Sequence, residues 1–66
     1  MNIELLKYFI KKNNLSVKEV AEGINIGLNA LYQRLNAKVE FKRSEMIDLK
    51  NFVGLSDDEF KQIFFN

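Results

Sequence analysis

The sequence predicts an all-α fold of five helices in one domain. Apolar residues recur three and four positions apart along most of the chain, which is the spacing of one buried helix face. Two Ser-x-x-Glu segments, at Ser16 and Ser56, have the spacing of a capping box, which marks where a helix begins. Proline, linkers and low-complexity segments are absent, so residues 1–66 are expected to form a single compact unit.

The first, fourth and fifth predicted helices form a scaffold. The first begins after Asn2 and ends at Asn13. The fourth covers residues 43–53 and stops at Gly54 in a left-handed cap, and the fifth follows Ser56. The apolar residues of these helices are Ile3, Leu5, Leu6, Phe9 and Ile10 in the first, Met46, Ile47, Leu49, Phe52 and Val53 in the fourth, and Phe60, Ile63 and Phe64 in the fifth.

The second and third helices, within residues 16–36, have the pattern of a helix-turn-helix. The second begins at Val17 and buries Val20, Ala21 and Ile24. Asn25 lies where the chain reverses, because asparagine tolerates the left-handed conformation. Gly27 caps the third helix, and Leu31 and Leu35 form its buried face. The residues left pointing outward are Leu28, Asn29, Tyr32, Gln33 and Asn36.

Residues 37–41 connect the third and fourth helices, and their sequence is compatible with a short strand or with an irregular connector. Val39, Glu40 and Phe41 alternate in polarity as a short strand does. A strand needs a partner, and every other apolar run in the chain has helical spacing. We therefore expect a connector whose Phe41 side chain folds into the core.

Missing residue types exclude several classes of function. The chain has no Cys and no His, so it lacks disulfides, the usual zinc ligands and the usual general bases and nucleophiles. We expect no enzyme activity, cofactor, metal or small-molecule substrate. The acidic run 57–59 is explained by the dipole and capping box of a helix start. No apolar run of about 18 residues and no signal peptide occur, so a soluble protein without membrane contact is expected.

Charge is distributed unevenly along the chain. The net charge is only +1, but residues 1–43 hold eight Lys or Arg against four acids, and residues 44–66 hold two against five. Such asymmetry would orient one end of a small domain toward phosphates. The alternative is that both sets of charges belong to ordinary solvated helix faces.

The combination of these segments resembles a known family. The helix-turn-helix at the second and third of five helices is followed by Leu35-Asn36-Ala37-Lys38-Val39-Glu40-Phe41, and the chain carries the pair Phe64-Phe65. Over nearly its whole length it resembles the phage repressor and Cro family, and most of all the small phage regulatory proteins. The resemblance implies a transcriptional regulator that binds double-stranded DNA in the cytoplasm of a bacterial host.

The resemblance also implies roles for individual residues. The third helix reads base edges in the major groove, where Asn and Gln suit adenine and Leu suits a thymine methyl group. Arg34 has two alternatives: it reaches a flanking phosphate, or its stem shields the helix core. The implied base contacts are Leu28, Asn29, Tyr32 and Gln33. For Leu28 the alternative is burial against the second helix, and for Tyr32 the favoured alternative is a position along the surface with its hydroxyl in water or on a phosphate. The implied phosphate contacts are Ser16, Lys18, Gly27, Arg34, Asn36, Lys38, Lys42 and Arg43.

The chain departs from the family pattern at four positions. Val17 occupies the place where many members have glutamine, and Asn25 the place where many have glycine. Arg34 and Leu35 exchange the usual order of an apolar and a polar residue, which implies that the buried face of the third helix is rotated slightly from the family pattern.

Useful specificity generally requires two copies of such a small domain. We therefore expect a homodimer whose recognition helices lie about 34 Å apart on a pseudo-palindromic operator. The expected partner surface consists of Phe60, Phe64 and Phe65. The alternative is that these rings close the core of the monomer, which is favoured for Phe60 and not for Phe65. An alternative function is an antirepressor-like module that uses the same Phe-rich surface to capture another phage regulator.

Overall fold

The computed structural model describes residues 1–65, and this part of the chain contains five α-helices and no strand. The helices are α1 (Ile3–Lys12), α2 (Val17–Gly23), α3 (Leu28–Leu35), α4 (Arg43–Val53) and α5 (Asp57–Phe64). The all-α prediction is confirmed. None of the helices in the described part combines the length and the apolar character needed to cross a bilayer.

Side chains at the helix starts fix where α1, α2 and α5 begin. The Ser16 N–H donates to Glu19 Oε1 at 2.9 Å, and the Glu19 N–H donates back to Ser16 Oγ at 3.1 Å. Ser56 and Glu59 repeat this capping box at 2.8 and 3.1 Å. Asn2 Oδ1 accepts the N–H three residues further on in α1, at 3.1 Å. All three predicted caps are confirmed.

A residue with positive φ follows each of the first four helices. These residues are Asn14 (57°), Asn25 (60°), Ala37 (60°) and Gly54 (84°). After α3, the Ala37 N–H donates to the Arg34 carbonyl at 3.1 Å. The Lys38 N–H donates to the Gln33 carbonyl at 2.9 Å, which completes a Schellman motif. The sequence predicts the second and fourth of these left-handed positions, and the structure confirms them.

The core draws on every helix. Each helix contributes one side chain that is almost completely buried: Leu6, Val20, Leu31, Leu49 and Ile63. Burying a side chain of this size contributes about 1.5–3 kcal/mol. The connector between α3 and α4 adds a further ring, because Phe41 is buried and lies edge-on to Phe64 at a centroid distance of 5.9 Å. This confirms the predicted connector with an inward Phe41.

α2 packs against both α3 and α4, and α1 packs against α5. At the end of α2, Gly23 lies directly beneath the ring of Phe52 from α4, and a Cβ at position 23 would overlap three ring carbons.

The apolar stripe predicted for α4 is wider than the face that α4 buries. Leu49 and Val53 are buried, whereas Ile47 and Phe52 are 47% and 41% exposed.

Candidate functional site

The outward face of α3 presents the side chains predicted to read bases. Gly27 caps the helix in an extended conformation, with φ −65° and ψ 149°. Leu31 and Leu35 face the core and fix the rotation of α3 about its axis. The exposed residues on the opposite side are Leu28, Asn29, Tyr32, Gln33 and Asn36. Their spacing of one, four, five and eight positions keeps them on one helix face.

This face combines apolar and amide chemistry. Leu28 and Tyr32 are 39% and 45% exposed. Within residues 1–65, neither the Asn29 nor the Gln33 side chain forms a hydrogen bond. Each amide therefore has a donor and an acceptor to offer, a pair that matches N7 and N6 of adenine in the major groove.

The residues predicted to contact phosphates fall into two groups. One is at the start of α2, where Ser16 and Lys18 are exposed. The other follows α3 and contains the exposed residues Asn36, Lys38, Lys42 and Arg43. In the described part of the chain none of these cations forms a salt bridge. Gly27 is exposed between the groups, at the start of α3.

Arg34 requires a correction to the prediction that it contacts a phosphate. Its Nε donates to Glu45 Oε1 at 2.8 Å, and its Nη1 donates to the Ala30 carbonyl at 3.0 Å. Only 12% of the Arg34 side chain and 9% of the Glu45 side chain are exposed. The guanidinium is thus neutralised inside the fold, where it joins α3 to α4.

Glu45 is a structural residue that sequence reasoning missed. Burial raises the pKa of the Glu45 carboxyl group. The hydrogen bonds from Arg34 and from the Lys42 backbone, together with the positive charges of Arg34 and Lys42, lower the pKa by more than burial raises it. The pKa of Glu45 therefore lies below the ordinary 4.5. The same Oε1 atom accepts the Lys42 N–H at 2.8 Å. The available signal is the acid at the third position of α4, which is the place of the glutamate in a capping box.

The predicted Phe-rich surface is only partly exposed. Phe64 is 7% exposed and belongs to the core, so its assignment to a partner surface is wrong. Phe60 is partly buried against that core, with its ring 5.1 Å from Phe64 and 5.6 Å from Phe65 between centroids. Phe65 is 63% exposed. Of the three rings, Phe65 is the one with a largely free face.

The surface of the described residues includes two grooves. The first is open and is lined by Glu19, Glu22, Gly23 and Phe52. The second has a volume of about 230 Å³ and is lined by Met1, Ile3, Arg34, Ala37, Val39 and Glu40. Across residues 1–65, no three carboxylates lie close enough together to hold a metal ion.

Comparison of the chain with protein-family models, curated proteins and solved structures found no match. A functional interpretation therefore has to come from the chemistry of the exposed surfaces.

Proposed function

We propose that this protein is a sequence-specific double-stranded DNA-binding regulator of transcription. In this proposal α2 and α3 act as a helix-turn-helix, and α3 enters the major groove as a recognition helix. The exposed face of α3 carries the proposal, because it presents Asn29 and Gln33 side chains that form no hydrogen bond within residues 1–65.

Base readout would use the two amides and one apolar side chain. Asn29 and Gln33 are one turn apart and suit adenines at neighbouring positions. Leu28, which is 39% exposed, suits a thymine methyl group. Tyr32 lies on the same exposed face of α3 and would offer its hydroxyl group to a base or a phosphate. The expected operator half-site is therefore rich in A·T pairs.

Contacts to the phosphates of the DNA backbone would come from cations that flank α3 in the sequence. Lys18 lies before it in the chain, and Lys42 and Arg43 lie after it. These side chains are exposed and form no salt bridge within the described residues. Phosphate contacts supply most non-specific affinity and make binding salt-dependent. Because the net charge is only +1, the attraction would come from these flanking cations and not from the charge of the whole domain.

We further propose that the protein binds its operator as a homodimer. One recognition helix reads only a few base pairs, and a two-fold dimer doubles the site. Its α3 helices would enter successive major grooves about 34 Å apart. The operator would then be an inverted repeat.

The test is selection of bound duplexes from a random DNA pool, followed by sequencing. The proposal predicts enrichment of an inverted repeat with half-site centres about 10 base pairs apart. A double variant, Asn29→Ala with Gln33→Ala, is the matched control and should lose the sequence preference while keeping its fold and its non-specific binding. If the folded wild-type protein enriches no sequence, the proposal is wrong.

A second candidate function rests on Phe65. This side chain is 63% exposed and its ring lies beside that of the partly buried Phe60, and an exposed apolar patch is typical of a surface that captures another protein. In that case the domain would act as an antirepressor-like module that binds another regulator. Phe65→Ser would then abolish activity, and Gln33→Ala would leave it intact. The DNA-binding proposal predicts the opposite result for each variant.

A further inference from the structure

The connector after α3 forms an apolar groove with the beginning of the chain. Its apolar lining consists of Met1, Ile3, Ala37 and Val39. Met1 is 51% exposed and Val39 is 40% exposed, although each lies beside apolar neighbours. Groove-lining side chains of this kind become more stable when a partner removes them from water.

Opposite charges flank Val39, an exposed apolar residue that lines this groove, in the sequence. Lys38 precedes Val39 and Glu40 follows it. Both charged residues are exposed, and neither forms a salt bridge within residues 1–65. A partner of a single charge would therefore be attracted at one flank and repelled at the other.

A second copy of the same chain satisfies both flanks at once. In a two-fold interface each surface meets itself in the opposite direction, so the same residues pair reciprocally. Lys38 of one copy would face Glu40 of the other, and the two Val39 side chains would meet between them. The charge pattern at residues 38–40 is thus self-complementary.

We propose that the groove around Val39 is the homodimer interface, with Lys38 and Glu40 pairing reciprocally across the two-fold axis. This inference rests on the proposed function, which requires a dimer, and it names the surface that forms it. The interface follows α3 directly in the chain, so it would set the separation of the two α3 helices. The domain measures 27 × 24 × 19 Å, and two such bodies in contact can place equivalent helices about 34 Å apart.

Charge exchange tests the interface in the absence of DNA. Dimer dissociation constants would be measured by sedimentation equilibrium at low salt for the wild type, Lys38→Glu, Glu40→Lys and the double variant. Each single change puts like charges opposite each other twice and should weaken the dimer roughly tenfold. The double variant restores opposite charges and should recover most of the affinity. An equimolar mixture of the two single variants should form a heterodimer.

Two further variants separate this surface from others. Val39→Ser should weaken the dimer while the unfolding transition stays nearly unchanged at protein concentrations where both proteins are monomeric, since the side chain is 40% exposed. Glu22→Lys changes an exposed acid outside the groove and should leave the dimer intact. A wild-type protein that stays monomeric, a double variant that dimerises no better than the singles, or a dimer that Phe65→Ser alone disrupts would each overturn the proposed interface.

The failure of this inference differs from failure of DNA binding. A monomer that still enriches a half-site in the duplex selection overturns the interface and leaves the DNA proposal standing. A dimer with the predicted charge behaviour that enriches no DNA sequence overturns the DNA proposal and supports the interface.

Discussion

Arg34 and Glu45 join α3 to α4 through a hydrogen bond of 2.8 Å between Arg34 Nε and Glu45 Oε1. The same carboxylate oxygen accepts the Lys42 backbone N–H, also at 2.8 Å. One atom therefore holds the end of the proposed recognition helix and the start of the next helix. Both side chains are largely buried, so each depends on the other for its hydrogen bonds.

Glu45→Ala should lower the free energy of unfolding by about 3 kcal/mol. The substitution leaves the Arg34 guanidinium and the Lys42 N–H without their acceptor. Urea unfolding followed by circular dichroism measures the change. Glu22→Ala, which removes an exposed carboxylate that forms no salt bridge within residues 1–65, is the control and should change the stability by less than about 0.5 kcal/mol. Equal stabilities of the two variants would contradict this account of the ion pair.

Stability should fall in acid partly because of Glu45. Its pKa in the folded protein lies below the ordinary 4.5, so the ionised form is favoured by folding. This contribution is fully present above pH 4.5 and is lost as the pH falls through the lowered folded-state pKa. Unfolding free energies measured at a series of pH values should show a shallower acid loss for Glu45→Gln than for the wild type. Asp57, whose pKa is lowered by the hydrogen bond and charge of Lys50, is unaltered in both proteins and cancels in the comparison.

Ala37→Gly should raise the free energy of unfolding by about 1 kcal/mol. Ala37 has a φ of 60°, where a Cβ is crowded by the backbone and glycine is not. Thermal and urea unfolding would both show the gain. Asn25→Gly is the matched control, since Asn25 has the same φ but a side chain that tolerates it. A gain at position 25 as large as that at position 37 would contradict the assigned cause.

Gly23→Ala should stabilise the protein only when Phe52 is also changed. Alanine is favoured over glycine within a helix by about 1 kcal/mol. At Gly23 the added Cβ would overlap the Phe52 ring and displace it. A double-mutant cycle with Phe52→Ala measures this coupling. Identical effects of Gly23→Ala in both backgrounds would mean that the ring moves aside without cost.

Gln33→Ala should weaken binding to the selected operator by about 1–3 kcal/mol and relax the preference at one base pair. The amide would lose its paired hydrogen bonds to a base, while phosphate contacts remain. Fluorescence anisotropy with the operator and with single-base variants would measure both effects. Gln62→Ala on α5 removes another exposed amide and should leave affinity unchanged. A uniform loss across all DNA sequences would assign Gln33 to the backbone instead.

The helix boundaries could be predicted from the sequence because their signals are local. Ser16 with Glu19, Gly27 and Gly54 each act within a few residues, and the structure places helix ends at all of them. The exposed side of α3 follows in the same way from the spacing of Leu31 and Leu35.

The remaining features depend on contacts that no local pattern encodes. Arg34 and Glu45 are eleven residues apart and meet because α3 and α4 pack together. Phe64 is buried in the core, where its ring contacts Phe41 of the connector. Phe52 packs one side of its ring on Gly23 at the surface and stays 41% exposed. Apolar residue types alone do not distinguish these two rings. Ala37 adopts a left-handed conformation because the end of α3 imposes it, against the preference of alanine.

The hydrogen-bonded end of α3 at Ala37 and the Arg34–Glu45 ion pair affect the thermodynamics of ligand binding on α3. Together they keep α3 ordered in the free protein, so no segment has to fold when a ligand arrives. The conformational part of the entropy cost of binding then falls on side chains such as Gln33 and Tyr32. Calorimetry should give a heat-capacity change that matches the contact area alone, without the larger value that accompanies coupled folding.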